Sequence, residues 1–379
     1  MDLGKYKISR NTRKKTNRNN KQISVYSERY LGEGSFGCVF KPEVKCRDKL
    51  QGTIINKSSN SSKLVSKIFV DKDDFNKEVD ASKLLKKVDP SGKNILLPYK
   101  SCEVSISDIF KNKHVEQCEE LQYYKNKTRQ LYQLIMPYGG IRYDEYFKVY
   151  RPTLKEFFSI SEPLFKALLL LENKSICHYD IRGANVLVGT DNKAIIIDHS
   201  LIIPYNKLYM PTNLRRLKKA YYPYPPECIV YYEVYKNHTI NTTNKSVSKT
   251  NSTSHNFIYT QFDDSIHSYG EKRYNAYKSL VNETTIHKSL THMHGVFKKY
   301  VNKDDLYAYL TTYANRVDIY SVGMLLVTIY AYIDYSAISK NQKDDFFNFI
   351  KKLIDPNVCH RLTPKDAYNL FSSLAKQIE

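Results

Sequence analysis

The chain has 379 residues, 41% of them hydrophobic, which supplies a buried core for one large or two modest domains and excludes a wholly disordered chain. Lys and Arg outnumber Asp and Glu by 59 to 39, a formal charge of +20 that favours polyanionic partners and says nothing about fold. No run reaches the ~18 apolar residues of a membrane span, "ALLLL" and "GMLLVTIYAYI" being too short.

Residues 1–27 form a basic stretch, with "RNTRKKTNRNNK" at 10–21 almost free of apolar side chains. It reads as a solvated, disordered tail, or alternatively as an arm that binds nucleic acid. The seven cysteines, at 38, 46, 102, 118, 177, 228 and 359, are odd in number and form no C-x-x-C pair, and no apolar leader follows the charged start. The expectation is an intracellular, reducing compartment, with the N-x-S/T triplets at Asn56, Asn126 and Asn241 unglycosylated. "CVFKP" and "KLVSKIFV" read as strands on either side of a polar insertion, 45–62, and "DDFNKEVDASKLLKKV" has helical spacing after acidic residues. "LYQLIMPYGG" reads as a buried strand entering a glycine turn. Beyond it the pattern is helical at 153–174, 318–333, 343–354 and 364–375, and a polar run at 236–256 reads as a flexible loop. The sum is an α+β chain with a small mixed front half and a larger helical back half.

"HYDIRGANVLV", His178 to Val188, sets an acid, a cation and an amide at fixed offsets before an apolar run. Phosphoryl transfer from ATP needs such a set, because its loose transition state leaves the protein mainly to hold phosphates and metal and to orient the attacking hydroxyl. Asp180 supplies a carboxylate for the hydroxyl, Arg182 a cation, and Asn185 an amide oxygen for the metal. "AIIIDHS" adds Asp198, 13 residues after Asn185 and 18 after Asp180, the length of a β-hairpin. His178 reads as structural, packed against the metal-binding segment.

These motifs resemble the protein-kinase family, whose catalytic loop reads H-R-D-x-x-x-x-N and whose metal motif is D-F-G. "GEGSFGCV" (Gly32, Glu33, Gly34, Ser35, Phe36, Gly37, Cys38, Val39) matches its glycine-rich loop, with Val39 and Val65 beside the adenine. The resemblance implies that Lys67 binds the phosphates and Glu78 pairs with it, Asp80 being a rival partner given the short gap. It makes "IMPY" the hinge, with Met136, Pro137, Tyr138 and Gly139 along the base. It makes Glu227 of "YPPE" the end of the activation segment and Arg361 of "HRLTPKDA" its ion-pair partner, and it has Asp318 of "DIYSVG" brace the catalytic loop. The implied fold is bilobal: a β-rich N-lobe with one main helix over 28–138, and a mainly helical C-lobe over 139–379 with an insertion at about 229–310. The implied catalytic residues are Asp180, Arg182, Lys67 and Glu78, with Asn185 and Asp198 as metal ligands, ATP with Mg2+ or Mn2+ as cofactors, and a serine or threonine of a protein substrate as acceptor. "SFGCVFKP" and the Lys-, Asn- and Tyr-rich composition resemble the divergent serine/threonine kinases of large nucleocytoplasmic DNA viruses, which implies host cytoplasm, virus factory or virion as location.

Departures from the family pattern carry their own expectations. Tyr179 replaces the arginine that receives an activation-loop phosphate, so a phosphate on Thr212 has no catalytic-loop cation there and that switch is expected to be absent. His199 and Ser200 replace Phe and Gly of D-F-G, and a side chain at Ser200 disfavours a backbone flip. Ala220 stands where many members have threonine. "RRLKK", with Arg215, Arg216, Lys218 and Lys219, suggests acidic acceptors. Glu227 and Asp318 lie 91 residues apart, against about a dozen in typical members, and the role of that insertion does not follow from the sequence. Small-molecule phosphotransferases share the H-x-D-x-x-x-x-N loop and an I-D without glycine, and a pseudokinase scaffold would retain the fold; both stay open as alternatives.

Overall fold

The computed structural model describes residues 29–34, 37–41, 43–47, 51–53, 64–111, 114–126, 130–210, 224–232, 253–268, 270–300 and 303–378. The tail 1–27, Ser35 and Phe36, Thr212, the basic run 215–219, Ala220 and most of the polar stretches 45–62 and 236–256 lie outside them.

Six strands, β1 (Arg29–Gly34), β2 (Gly37–Lys41), β3 (Gln51–Thr53), β4 (Leu64–Phe69), β5 (Lys100–Ser105) and β6 (Gln130–Pro137), form one antiparallel sheet in the order β1-β2-β4-β6-β5-β3. β4 is central, and all six of its residues are buried, as its Val, Ile and Phe content suits. The helix Lys72–Val88 starts at Asp71, whose side chain accepts the Asp74 N–H at 2.9 Å, and it buries Phe75, Glu78, Ala81, Ser82, Leu85 and Val88, mostly at helical three- and four-residue steps. Phe75 packs on Phe69 and Leu134 and so holds the helix against the sheet.

The remainder is mainly helical around one continuous core. Its axis is the helix Val317–Ile329, buried on almost every side, as its nearly unbroken apolar sequence requires. Around it lie the helices Tyr143–Tyr150, Leu154–Glu172, Lys340–Leu353 and Pro364–Ile378. A Thr153–Glu156 capping box opens the second of these, and a Ser339–Gln342 box opens the third. Short strands β7 (Ile141–Arg142), β8 (Ile176–Cys177), β9 (Val186–Val188), β10 (Ala194–Ile196) and β11 (Ile203–Pro204) frame the loops that face the sheet.

Two expectations change. The loop read at 236–256 ends early, because 253–256 are the first turn of the helix Thr253–His267, and the insertion continues as helices Glu271–Leu280, Glu283–Phe297 and Lys303–Thr311. Cysteine usage pointed to reduced thiols, yet the structure pairs Cys38 with Cys118 and Cys46 with Cys102. Their separations of 80 and 56 residues left no local spacing to read, and it is the packing of the short helices Ile106–Ile109 and Glu119–Tyr124 beside the sheet that brings them together. Cys177, Cys228 and Cys359 are free.

Candidate active site

Strand register assembles the first half of the site. Val39 lies opposite Lys67 and Val65 opposite Met136, so the two-residue pleat sends Val39, Val65, Lys67 and Met136 to one face of the sheet. Gly34 and Gly37 close the β1–β2 hairpin over that face, with Glu33 opposite Cys38 and Gly32 opposite Val39. A Cβ at Gly37 would run into the carbonyl oxygen of Ile68, so only glycine allows the hairpin to lie this close to β4. β6 then leads through Pro137 and Tyr138 to Gly139, where a Cβ would come within 2.6 Å of a Leu187 methyl. The Lys41 ammonium sits 4.7 Å from the centre of the Tyr138 ring.

Lys67 is the junction of the two halves. Its Nζ donates to Glu78 Oε2 at 2.5 Å and to Asp198 Oδ1 at 3.0 Å, with the lysine and Glu78 side chains only 8% and 4% exposed. Asp80, the rival partner, is exposed and pairs with Lys83 at 2.9 Å. Eleven residues suffice because β4 turns into its helix through only Val70 and Asp71.

The second half comes from the loop between β8 and β9. Asn185 Nδ2 donates to Asp180 Oδ2 at 2.6 Å and to the Asp180 carbonyl at 2.9 Å, which leaves the amide Oδ1 as the donor atom for a metal. Arg182 Nε lies 3.4 Å from Asp180 Oδ1. The hairpin β9–β10 carries the chain to Asp198, whose φ of 63° is left-handed and whose carboxylate also accepts the Ser200 hydroxyl at 3.2 Å. Beneath the loop, Asp318 accepts the N–H groups of His178 at 2.6 Å and Tyr179 at 2.9 Å. Arg361 donates both ends of its fork to Glu227, at 2.7 and 2.9 Å, and both side chains are fully buried.

A family model for protein tyrosine and serine/threonine kinases matches residues 25–240, more than half of the chain. The chain belongs to the protein tyrosine and serine/threonine kinase family. No curated protein matches the kinase. Its small sheet with one main helix and its larger helical remainder are the two lobes of the kinase fold.

Electrostatics in the kinase follow from burial and pairing. Burial alone would lower the Lys67 pKa, but Glu78 and then Asp198 outweigh it, so the ammonium is held charged. Burial pushes the Asp198 carboxyl up, and the Lys67 charge more than reverses this, leaving it below its ordinary range. His178 and His199 lie edge to face at 5.6 Å, and burial drives their pKa values down to about 3 and about 4, so both rings are neutral. His199 shares a 2.8 Å hydrogen bond between Nε2 and the Leu96 carbonyl oxygen, in which a neutral ring must carry its proton on Nε2.

Sequence reasoning missed three parts of this kinase site. Leu187 faces Gly139, a direction the alternation of β9 indicated, because Val186 and Val188 on either side of it are buried. The His199–Leu96 bond and a stack between Tyr179 and Tyr224 join segments far apart in sequence and had no local signal.

Proposed function

We propose that this protein kinase transfers the γ-phosphoryl group of ATP to serine or threonine of protein substrates. The observation that carries the reading is the chain of contacts from Glu78 through Lys67 to Asp198, with the Asp180–Asn185 pair joined to the same segment where the Ile197 N–H donates to the Asn185 carbonyl at 2.9 Å. In this reading Lys67, oriented by Glu78, holds nucleotide phosphates, and the Asp180 carboxylate accepts the proton of the attacking hydroxyl. Val39, Val65 and Met136 contact the base from the sheet, and Leu187 does so from β9. Arg182, tethered to Asp180, offers a cation where charge develops; a cation two residues after the aspartate resembles the serine/threonine arrangement and favours those acceptors over tyrosine.

Among the described residues no cluster of three or more His, Cys, Asp or Glu could hold a metal by itself. The donors offered, one Asp198 carboxylate and one Asn185 amide oxygen, are the hard oxygen set that suits Mg2+ or Mn2+, ions that keep waters and phosphate oxygens as their other ligands. Such an ion would supply charge neutralisation to the phosphates.

The bracing of the loop by Asp318 and the buried Glu227–Arg361 pair favour a protein kinase over a small-molecule phosphotransferase, and the full set of polar groups argues against a pseudokinase. "SFGCVFKP" and the composition support kinship with the serine/threonine kinases of large DNA viruses, and the net charge of +20 supports an acidic acceptor. The test is transfer of labelled γ-phosphate to protein and small-molecule acceptors, followed by phosphoamino-acid analysis. Phosphoserine and phosphothreonine are expected; mainly phosphotyrosine, or label only on small molecules, would overturn the assignment.

A further inference from the structure

The ring of Tyr179 is 1% exposed and stacks on Tyr224, with centroids 4.5 Å apart and planes 12° from parallel. Each partner is anchored from its own side. The backbone of Tyr179 is left-handed, with φ 67°, a conformation that an aromatic residue adopts only when its surroundings enforce it. The Asp318 carboxylate enforces it at the main chain, through the N–H groups of His178 and Tyr179. Tyr224 stands three residues before Glu227, which the fully buried Arg361 fork fixes, and the helical stretch 226–232 is further tied where the Tyr231 hydroxyl donates to the Tyr209 carbonyl at 2.6 Å. The stack therefore joins two independently anchored elements. One is the loop that presents Asp180, and the other is the far end of the segment that begins at Asp198.

We propose that Tyr224 is a positioning residue that acts through Tyr179. The stack clamps the loop carrying Asp180 to the end of the 198–227 segment by ring contact, with no phosphate group and no charge. The inference rests on the kinase reading above and names how that site is held in its working arrangement. Two features fit a clamp made by ring faces. The Tyr179 hydroxyl is buried without a hydrogen-bond partner among the described residues, so the phenyl face rather than the oxygen makes the contact. Burial also raises the phenol well above its ordinary pKa, so Tyr179 stays neutral and, unlike an arginine, offers no positive charge for a phosphate to pair with. Loss of the Tyr224 ring removes the support on one side of a left-handed residue adjacent to Asp180. A displacement there of about 1 Å is enough to slow an oriented reaction by ~10²-fold.

The test uses the full chain, untreated and phosphatase-treated, as wild type, Tyr224→Ala, Tyr224→Leu and Tyr224→Phe. Tyr224→Ala and Tyr224→Leu are expected to lower kcat by about 10- to 100-fold with little change in the KM for ATP. Tyr224→Phe, which keeps the ring, should restore most of that loss, and phosphatase treatment should leave the wild-type rate intact. Amide exchange at His178 and Tyr179 should quicken by about 2- to 12-fold without the stack and recover in Tyr224→Phe. Wild-type kcat and exchange in Tyr224→Leu would overturn the clamp, as would equal damage from Leu and Phe. So would a rate that is lost on dephosphorylation and returns on rephosphorylation. If wild type transfers no phosphoryl group, the kinase reading falls, and the exchange measurement alone still decides whether Tyr224 holds the loop.

Discussion

His199 illustrates how one substitution alters the balance beside Asp198. Its bond to Leu96 lies beside the isolated bridge between Ile95 and Ile196, and Leu96 N–H donates to the Ile196 carbonyl at 2.8 Å. The Asp198 segment is thus sewn to the chain that follows the sheet's helix. The cost is a neutral imidazole kept out of water. A histidine depressed in the folded state contributes stability that is present above its unfolded pKa near 6.5 and is lost as pH falls towards the folded value, about 4 for His199 and about 3 for His178. Asp318 has the opposite sign: burial raises it to about 6, so between pH 4 and 6 the folded state holds a proton that the unfolded state releases. The two histidines thus pull stability down on acidification from pH 6.5 to 4, a decline that Asp318 and Glu78, whose carboxyl burial also raises, oppose. His199→Phe should lessen that decline by about one proton, while costing ~1 kcal/mol at pH 7 through the lost hydrogen bond. Denaturant unfolding at several pH values measures both; identical pH slopes for wild type and variant would contradict the assignment.

At the scale of elements, the sequence was most informative where chemistry and periodicity coincide locally. β2, β4, β6 and the helix Lys72–Val88 follow from apolar, β-branched content or helical spacing, and Asp180, Asn185 and Asp198 from their places around one hairpin. Contacts between distant elements were not legible, which is why both disulfides were missed. Cys38 lies next to Val39 in β2, the second strand of the glycine hairpin, and Cys46 stands two residues after Val44, whose N–H donates to Ser66 Oγ at 2.8 Å. The two links thus tie the six-stranded sheet to its flanking loops, and peptide mapping without reductant should recover Cys38–Cys118 and Cys46–Cys102 with three free thiols. Replacing the second pair by Cys46→Ser and Cys102→Ser should destabilise this lobe by about 2–4 kcal/mol, read as a lower first unfolding midpoint. An unchanged midpoint would contradict a stabilising role for the Cys46–Cys102 link.

Across the whole molecule, the least readable part is the insertion, whose Tyr- and Lys-rich helices have weak apolar faces except Glu283–Phe297, which buries Ile286, Leu290, Met293 and Phe297 on one stripe. Tyr277 of the helix Glu271–Leu280 is nonetheless fully buried, close to Tyr320 and to Arg361, whose guanidinium lies 4.9 Å from the centre of the Tyr320 ring. The insertion therefore packs beside the buried Glu227–Arg361 ion pair. Arg361→Met would leave Glu227 charged and buried, which should cost about 3–5 kcal/mol and lower the melting temperature well beyond the effect of breaking the exposed Lys83–Asp80 pair. The central claim is that this fold brings Lys67, Asp180, Asn185 and Asp198 together for phosphoryl transfer. Its most direct test is the rate of labelled γ-phosphate transfer from Mg-ATP to protein acceptors by wild type and by Asp180→Asn, a nearly isosteric change that removes the proton-accepting carboxylate. A kcat lowered by ~10²–10⁴-fold is predicted; equal rates for the two proteins, or no transfer by wild type to any acceptor, would contradict the account.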